Sequence, residues 1–229
     1  MSSRDEIGAA APHDPERSDR QLAWLRDSCR GRSVLDLGCG DGRVAAAVAA
    51  EASRYVAVDC DAGALARCAA VCEQIEVLEA DMVRPPLKGD RFENVLCLGN
   101  TFCLLWDVDV AVEAMRHWRA LLSRDGFLVL DDIPQNLWPE VAEGRWINGV
   151  ADEDGIQLVW APDDAVMVIR RGSDIDQGEP NFRDTDQPMR VWTAGALRLA
   201  ARLAGFAPPE HHPEGGVLIL RPATPASPA

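Results

Sequence analysis

An acid followed by three glycines at alternating positions is the group of residues with the clearest chemical meaning. Positions 36–42 read Asp-Leu-Gly-Cys-Gly-Asp-Gly, overlapping the apolar run Ser33–Leu37 and preceding the alanine-rich run 44–51. A strand, a tight turn and a helix in this order are typical of a nucleotide-binding α/β unit, because glycines let the backbone approach a ligand closely. The free N–H groups at the start of the helix then lie beside that ligand.

The spacing of the glycines excludes two common nucleotide motifs. A dinucleotide-binding G-x-G-x-x-G sequence requires glycine at position 43, which is Arg43 here. A phosphate-binding P-loop requires G-x-x-x-x-G-K-S/T, a run that the sequence lacks. A nucleoside ligand is still favoured, because Asp59 ends the second predicted strand 19 residues beyond Gly40. An acid about 20 residues after the glycines can accept hydrogen bonds from ribose hydroxyls.

The glycine stretch resembles the first motif of the class I S-adenosylmethionine-dependent methyltransferases, D/E-x-G-x-G-x-G. This resemblance implies S-adenosylmethionine as cofactor and S-adenosylhomocysteine as product. It also implies that Asp59 holds the ribose and that the pair Asp81-Met82, after the third strand, binds adenine through a carboxylate and a backbone N–H. The cofactor-binding residues expected on this basis are Asp36, Gly38, Cys39, Gly40, Asp59, Cys60, Asp81, Met82, Leu98 and Gly99.

The end of the fourth predicted strand adds a second resemblance. Positions 97–101, Cys-Leu-Gly-Asn-Thr, are similar to the corresponding strand of glycine N-methyltransferase and related small-amine N-methyltransferases. In that group the carbonyl at the position of Leu98 faces the methionine part of the cofactor. Two roles fit Asn100 and Thr101 equally well: contact with the cofactor or acceptor, or capping of the following turn.

The expected chemistry makes modest demands on side chains. Methyl transfer from a sulfonium is an in-line displacement with a good leaving group, so orientation can supply much of the rate. An alcohol acceptor needs a general base, whereas a neutral amine needs little more than a place to lose its proton. The sequence predicts no histidine at a strand end, and we expect Asn100 and Asp131 only to orient the acceptor. Catechol-type O-methyltransferases hold magnesium with carboxylates here. The fourth strand ends in Gly99-Asn100 instead, so no metal is expected.

Alternating apolar runs and helical segments predict an α/β fold with a doubly wound, mostly parallel sheet and helices on both faces. The expected strands are 33–37, 54–59, 75–78, 92–101, 127–130 and 217–220, the last of them antiparallel as in the Rossmann-like methyltransferase fold that the resemblance implies. Asp61 and Thr193 are placed to cap the helices that follow them. Two further strands, 157–160 and 165–170, predict a hairpin within a β-rich insertion after the fifth strand.

The domain organisation predicted from these elements has a core and one insertion. A flexible tail (1–18) precedes the core (19–134 and 191–222), and a loose tail (223–229) ends the chain. The insertion (135–190) is expected to cover the carboxyl edge of the sheet as a lid. The predicted helix 19–29 is either a second lid or, as we favour, a helix packed on the sheet edge.

The charge of the insertion has two interpretations. Between positions 131 and 164 one base, Arg145, stands against nine acids: Asp131, Asp132, Glu140, Glu143, Asp152, Glu153, Asp154, Asp163 and Asp164. Acids and tryptophans over the site would suit an amine acceptor that arrives as a cation. A solvated acidic hairpin explains the same residues equally well. Exposed tryptophans would likewise suit either a substrate pocket or a homodimer face.

Composition limits the partners. The chain has 229 residues and a net charge of −14, so a nucleic acid would be repelled by most of its surface. No apolar run approaches the roughly 20 residues that span a bilayer, and the N-terminus has no signal-peptide core, so we expect a cytoplasmic protein without membrane contact. The seven cysteines include no C-x-x-C pair, which argues against a zinc site.

Together these features predict a small-molecule methyltransferase, with methylation of nitrogen preferred to methylation of oxygen. Two alternatives stay open. One is an aminopropyl transferase that uses the decarboxylated cofactor. The other, from a different functional class, is a protein that binds S-adenosylmethionine without transferring its methyl group.

Overall fold

The computed structural model describes residues 15–131, 155–176 and 181–224. The strands in these residues are β1 (Ser33–Leu37), β2 (Arg54–Asp59), β3 (Ile75–Glu79), β4 (Phe92–Cys97), β5 (Leu122–Asp131), β6 (Ile156–Trp160), β7 (Val166–Arg171), β8 (Met189–Arg190), β9 (Glu210–His212) and β10 (Val217–Leu220). Within the described part of the chain, the main sheet has seven strands in the order β3-β2-β1-β4-β5-β10-β9. Strands β1 to β5 are parallel, whereas β10 is antiparallel to both β5 and β9. The predicted Rossmann-like methyltransferase fold, with its antiparallel final strand, is confirmed.

Helices cover both faces of this sheet. They are α1 (Pro15–Cys29), α2 (Arg43–Val48), α3 (Ala62–Ala69), α4 (Val108–Leu121) and α5 (Ala194–Leu203), with 3-10 turns at Thr101–Leu104 and Gly172–Asp174. Alternate residues of each strand face opposite sides. Accordingly, Val34 packs with α1, α2 and α3, whereas Leu35 packs with α4 and α5. None of the helices in the described residues is long and apolar enough to cross a membrane.

Side chains at the helix starts explain where the helices begin. Asp61 accepts hydrogen bonds from the N–H groups of Gly63 and Ala64 at the start of α3, as predicted. Thr193 accepts from the Ala196 N–H at the start of α5, which is also as predicted. Helix α1 begins at Pro15 rather than at residue 19, so the last four residues of the predicted tail are helical. The rest of that tail, 1–14, lies outside the described residues.

A second, antiparallel sheet follows β5 in the chain, where the sequence predicted a β-rich insertion. In the described residues it has three strands in the order β6-β7-β8, and β6 and β7 form the expected hairpin. Two of its buried polar side chains have partners: Gln157 bonds the backbone of Asp176 in both directions, and Arg170 pairs with Asp186. Residues 132–154 and 177–180, which include Asp132 and most of the acids counted above, lie outside the described residues. The predicted lid therefore stays a prediction.

Three element boundaries differ from the expected ones for local reasons. Strand β5 begins five residues early, at Leu122, because residues 123–126 form an irregularity where Phe92 pairs with Leu122 and Asn94 with Phe127. Strand β4 ends at Cys97 because Gly99 and Asn100 have positive φ angles of 70° and 64°. The segment containing His211 and His212, expected to be a connection, forms the edge strand β9.

Candidate functional site

The carboxyl ends of five adjacent strands bring the predicted site residues to one edge of the sheet. Following the sheet order from β3 to β5, this edge carries Asp81, Asp59, the glycine loop 38–42, the Gly99-Asn100 turn and Asp131. Ligands of open α/β sheets bind at this edge. The structure therefore brings together residues that are up to 95 positions apart in the sequence.

The glycine loop is closed on one side and open on the other. The N–H groups of Gly38 and Cys39 both donate to the Val58 carbonyl, at 2.7 and 3.1 Å. A Cβ atom at Gly38 would lie 2.3 Å from Cγ2 of Thr101, whereas a Cβ atom at Gly40 would have no atom of the described residues within 4 Å. Both residues have positive φ angles, 69° and 52°, which other residues rarely adopt. Gly38 is thus required by packing, and Gly40 borders open space.

Asp59 holds the glycine loop through its carboxylate. One oxygen accepts a hydrogen bond from the Gly40 N–H and the other from the Asp61 N–H, each at 3.0 Å. Each carboxylate oxygen has a second lone pair, so the half-buried side chain can still accept bonds from a ligand. Its predicted contact with ribose hydroxyls stays a prediction. Cys60, the next residue, is exposed at the same strand end.

Asp36 lies beneath the loop rather than on its surface. Its side chain is only 2% exposed and accepts a 2.6 Å hydrogen bond from the Tyr55 hydroxyl on β2. Burial raises the pKa of Asp36 from its ordinary 3.8 to about 6, while the Tyr55 bond and nearby Arg43 oppose the rise. Tyr55 supports the strand end that carries the glycines, a role that the sequence analysis missed. The predicted contact between Asp36 and the cofactor stays a prediction.

Three hydrogen bonds hold the loop after β3, two of them to neighbouring elements and one within the loop. The Ala80 N–H donates to the Asp59 carbonyl at 2.9 Å, and the Met82 carbonyl accepts from the Trp118 indole N–H at 2.7 Å. The exposed carboxylate of Asp81 accepts from the Val83 N–H at 2.8 Å. Asp81 and Met82 therefore have fixed backbones beside Asp59, where an adenine site was predicted.

The turn after β4 joins the glycine loop to β5. The Thr101 hydroxyl donates to the Leu98 carbonyl at 2.7 Å and so holds the 98–101 turn. Contact of Thr101 with a cofactor or acceptor stays a prediction. The Asn100 N–H donates to one carboxylate oxygen of Asp131 at 2.9 Å. The Asn100 side chain makes no capping bond to the following 3-10 turn. Asn100 and Asp131, the two predicted orienting residues, are thus direct neighbours.

Gln21 and Arg43 belong to this edge but were missed from the sequence. The Gln21 side-chain N–H donates to the second oxygen of Asp131 at 2.9 Å, and its carbonyl accepts from the Arg43 guanidinium at 3.1 Å. Gln21 is 6% exposed and lies one helical turn before the core residue Leu25. A polar residue on the buried face of an amphipathic helix was the available indication. Helix α1 is packed on one face of the sheet, over the central strands β1, β4 and β5, whereas we favoured the sheet edge. Its first half also reaches the site.

One expectation about histidine is wrong. Strand β9 ends at His212, which is in register with Val217, and Val217 is in register with Asp131, so a histidine does lie at a strand end on this edge. Its Nδ1 accepts from the Gly215 N–H at 3.2 Å, and its ring lies 4.8 Å from that of Trp24 on α1. These contacts turn the imidazole towards α1 and the β9–β10 turn, two strands away from Asp131.

Arg190 anchors the second sheet next to this edge. Its guanidinium forms a two-pronged ion pair with Asp164 in the β6–β7 turn and donates to the Trp106 carbonyl at 2.6 Å. The Arg190 bond holds the pKa of Asp164 below its usual range. One of the acids offered above for a cationic acceptor is therefore already neutralised by a protein partner. In the residues described, no group of three or more His, Cys, Asp or Glu side chains is arranged to hold a metal ion.

Comparisons with known proteins agree with this geometry. Residues 34–126 match the family model described as a methyltransferase domain. Two curated relatives from Mycobacterium tuberculosis, strains CDC 1551 / Oshkosh and ATCC 25618 / H37Rv, are both named probable S-adenosylmethionine-dependent methyltransferases. Each relative is 34% identical to this chain over 106 residues, which make up 46% of this chain. The match covers 37% of each relative, so this chain spans little more than a third of their length.

Solved structures share the fold over most of the chain. An S-adenosylmethionine-dependent methyltransferase from Clostridium acetobutylicum has a TM-score of 0.69 at 13% identity, covering 96% of both chains. The sugar N-methyltransferase KedS8 from a Streptoalloteichus species has a TM-score of 0.67 at 19% identity, covering 97% of this chain and 94% of its own. A Burkholderia thailandensis 1,6-didemethyltoxoflavin-N1-methyltransferase with bound S-adenosylhomocysteine has a TM-score of 0.56 at 19% identity. The match covers 91% of this chain and 79% of that enzyme.

At these identities the solved structures establish the fold alone. The stretch that carries the glycine loop, residues 34–126, is thus similar to a methyltransferase domain, and part of the chain is similar to probable S-adenosylmethionine-dependent methyltransferases.

Proposed function

We propose that this chain transfers a methyl group from S-adenosylmethionine to a small-molecule acceptor, and that the acceptor atom is an amine nitrogen. The observation that carries the proposal is the glycine loop. Its backbone is held at the carboxyl edge by Asp59, and Gly40 borders open space. That arrangement suits a ligand that approaches the main chain closely.

The described residues fit the cofactor in two respects. Gly40 leaves a surface without a Cβ atom, and Asp59 and Asp81, after β2 and β3, have lone pairs for a ribose and an adenine amine. Residues that would hold the cofactor are therefore the loop backbone, Asp59 and the pair Asp81-Met82. Bound there, S-adenosylmethionine supplies an electrophilic methyl carbon on a sulfonium.

Orientation is the main task left to the chain, and an amine nitrogen suits the polar groups at this edge. Both oxygens of Asp131 already accept hydrogen bonds, from Gln21 and Asn100. His212 uses its Nδ1 on the Gly215 N–H and packs against Trp24. Neither group is arranged as a strong general base, which an alcohol requires and a neutral amine does not.

A small acceptor is favoured by charge and by the second sheet. The net charge of −14 disfavours a polyphosphate substrate. The Arg190 contacts hold the β6–β7–β8 sheet against the turn that follows Thr101–Leu104, beside the site. KedS8 and the 1,6-didemethyltoxoflavin-N1-methyltransferase are N-methyltransferases by name. An amine panel is therefore the first one to test.

The test has a binding step and a turnover step. Calorimetric titration with S-adenosylhomocysteine, using NAD and ATP as controls, should show one selective site per chain. Incubation with S-adenosylmethionine and matched amines and alcohols should then release S-adenosylhomocysteine with amines at the higher rate. Binding without turnover on either panel would support the non-transferring alternative. Absence of binding by the folded protein would refute the proposal altogether.

A further inference from the structure

Gln21, on α1, forms hydrogen bonds with two other elements at this edge of the sheet. Its amide lies between the guanidinium of Arg43, on α2, and the carboxylate of Asp131, on β5. An arginine only donates hydrogen bonds and a carboxylate only accepts them, so the amide oxygen must face Arg43 and its nitrogen must face Asp131. The amide dipole is therefore aligned between a positive and a negative charge, in a side chain that is 6% exposed.

The far end of this chain of contacts is a strained backbone. The other carboxylate oxygen of Asp131 accepts a hydrogen bond from the Asn100 N–H, at 2.9 Å. Among the described residues, Asn100 is the only non-glycine residue with a positive φ angle, 64°, and it follows Gly99 at 70°. A left-handed residue costs free energy that its surroundings must supply, and a bond to a charged acceptor is stronger than a neutral one. Asp131 thus helps to hold the turn that carries Leu98 and Gly99.

We propose that Gln21 is a positioning residue for the cofactor site. It fixes the Asp131 carboxylate, and through it the 98–101 turn, and it ties the first residue of α2 to α1. Helix α2, which follows the glycine loop, and the 98–101 turn after β4 are then held in one arrangement before any ligand binds. This inference rests on the proposed function, because the site that Gln21 orders is the one that we assign to S-adenosylmethionine.

The alternative is that Gln21 contributes only to the packing of α1 against the sheet. The two roles differ in what Gln21→Met does, because methionine keeps the length and the helix propensity but loses both polar contacts. If Gln21 acts through Asp131, its loss should disturb the 98–101 turn and weaken ligand binding. If it acts as packing alone, its loss should change stability and leave both properties unchanged.

The experiment compares Gln21→Met with Arg20→Met. Arg20 is the neighbouring residue on α1, and its exposed side chain forms a weak ion pair with the exposed Glu16. We expect S-adenosylhomocysteine to bind about tenfold more weakly to Gln21→Met, the usual order for losing a hydrogen bond to a charged group. Arg20→Met should bind within about twofold of the unchanged protein.

Two further measurements separate positioning from packing. Hydrogen exchange of the ligand-free protein should be several-fold faster in peptides covering residues 98–101 of Gln21→Met, and unchanged there in Arg20→Met. In an Asp131→Asn background, Gln21→Met should weaken binding by less than it does alone, because the two residues act on the same turn. If Gln21→Met fails to fold, Gln21→Glu keeps the size and the Arg43 contact and places a second carboxylate against Asp131.

Each outcome decides the inference. Equal affinity and equal exchange in Gln21→Met would overturn it, and so would full additivity with Asp131→Asn. If the unchanged protein does not bind S-adenosylhomocysteine, the proposed function falls, while the exchange of residues 98–101 still shows whether Gln21 holds the turn.

Discussion

The first and third residues of the Gly-Cys-Gly stretch should respond differently to the same substitution. In Gly38→Ala and in Gly40→Ala, alanine must adopt a positive φ angle, which costs roughly 1–2 kcal/mol. Only at position 38 does the new methyl group meet a neighbour, at 2.3 Å from Cγ2 of Thr101. Overpacking of this kind adds typically about 1–3 kcal/mol. We therefore expect Gly38→Ala to lose about 2–5 kcal/mol of unfolding free energy and Gly40→Ala about 1–2.

Urea unfolding followed by circular dichroism and tryptophan fluorescence measures both losses, with the dependence on urea checked for a common slope. A third variant locates the contact. Thr101→Ser removes Cγ2 and keeps the hydroxyl that bonds the Leu98 carbonyl, so Gly38→Ala with Thr101→Ser should recover most of the excess loss. Equal losses at positions 38 and 40, within about 0.5 kcal/mol, would refute the reasoning.

Binding should show the opposite order. The methyl group of Gly40→Ala projects into open space beside Asp59, where the proposed ligand approaches the backbone. We expect Gly40→Ala to weaken the binding of S-adenosylhomocysteine by more than its small effect on stability suggests. A Gly40→Ala protein that binds as tightly as the unchanged one would place the ligand elsewhere.

Three further predictions concern charged side chains. Burial raises the pKa of Asp36 to about 6, so the folded protein becomes less stable as the pH rises from about 4 to 6. The unfolding free energy of Asp36→Asn, relative to that of the unchanged protein, should therefore increase over that range by up to about 3 kcal/mol. A difference in urea unfolding that does not depend on pH would contradict this. Asp59→Ala leaves the Gly40 N–H without its partner and should weaken S-adenosylhomocysteine binding by roughly 1–3 kcal/mol in calorimetry, whereas Asp41→Asn, whose carboxylate bonds the Arg67 side chain instead, should not. Arg190→Lys keeps the charge but loses the two-pronged pair and the Trp106 contact, so thermal unfolding should show a loss of about 1–3 kcal/mol that the exposed control Arg198→Lys does not share.

The strands and most helix starts could be predicted because their causes are local. The bounds of β1 and β10 agree with the sequence reading, since each is an apolar run that ends in glycine or a charged residue. The caps at Asp61 and Thr193 also follow from short-range chemistry. Strand β5 was read too short because Ser123, Arg124 and Asp125 are polar and Gly126 favours a turn. Pairing with β4 across an irregular register extends the strand through them.

The positions of acids at the strand ends could be predicted from the sequence, whereas the side chains that hold those acids in place could not. Acids at strand ends follow from the order of elements, so Asp59 and Asp131 were placed at this edge from their positions, and Asp81 from the family resemblance. The Gln21–Asp131 bond joins residues 110 positions apart, and the Tyr55–Asp36 bond joins two neighbouring strands, β2 and β1. Such contacts depend on where α1 lies and on which face of each strand is buried. The place of His212 was missed for the same reason, because a short edge strand gains its pairing only from β10.

The acids at this edge share a way of acting that bears on the proposed chemistry. Asp59 accepts from two backbone N–H groups, Asp81 from one, and Asp131 from one backbone N–H and the Gln21 amide. Their charges are therefore used to hold main-chain turns in place. A reaction that requires a strong base would be poorly served by carboxylates used in this way. A displacement whose leaving group is already good gains most from fixed positions, because misplacing a reacting atom by about 1 Å can cost around a hundredfold in rate. The same carboxylates thus favour an acceptor that attacks without prior deprotonation, and an alcohol substrate would require a proton acceptor beyond the hydrogen bonds described here.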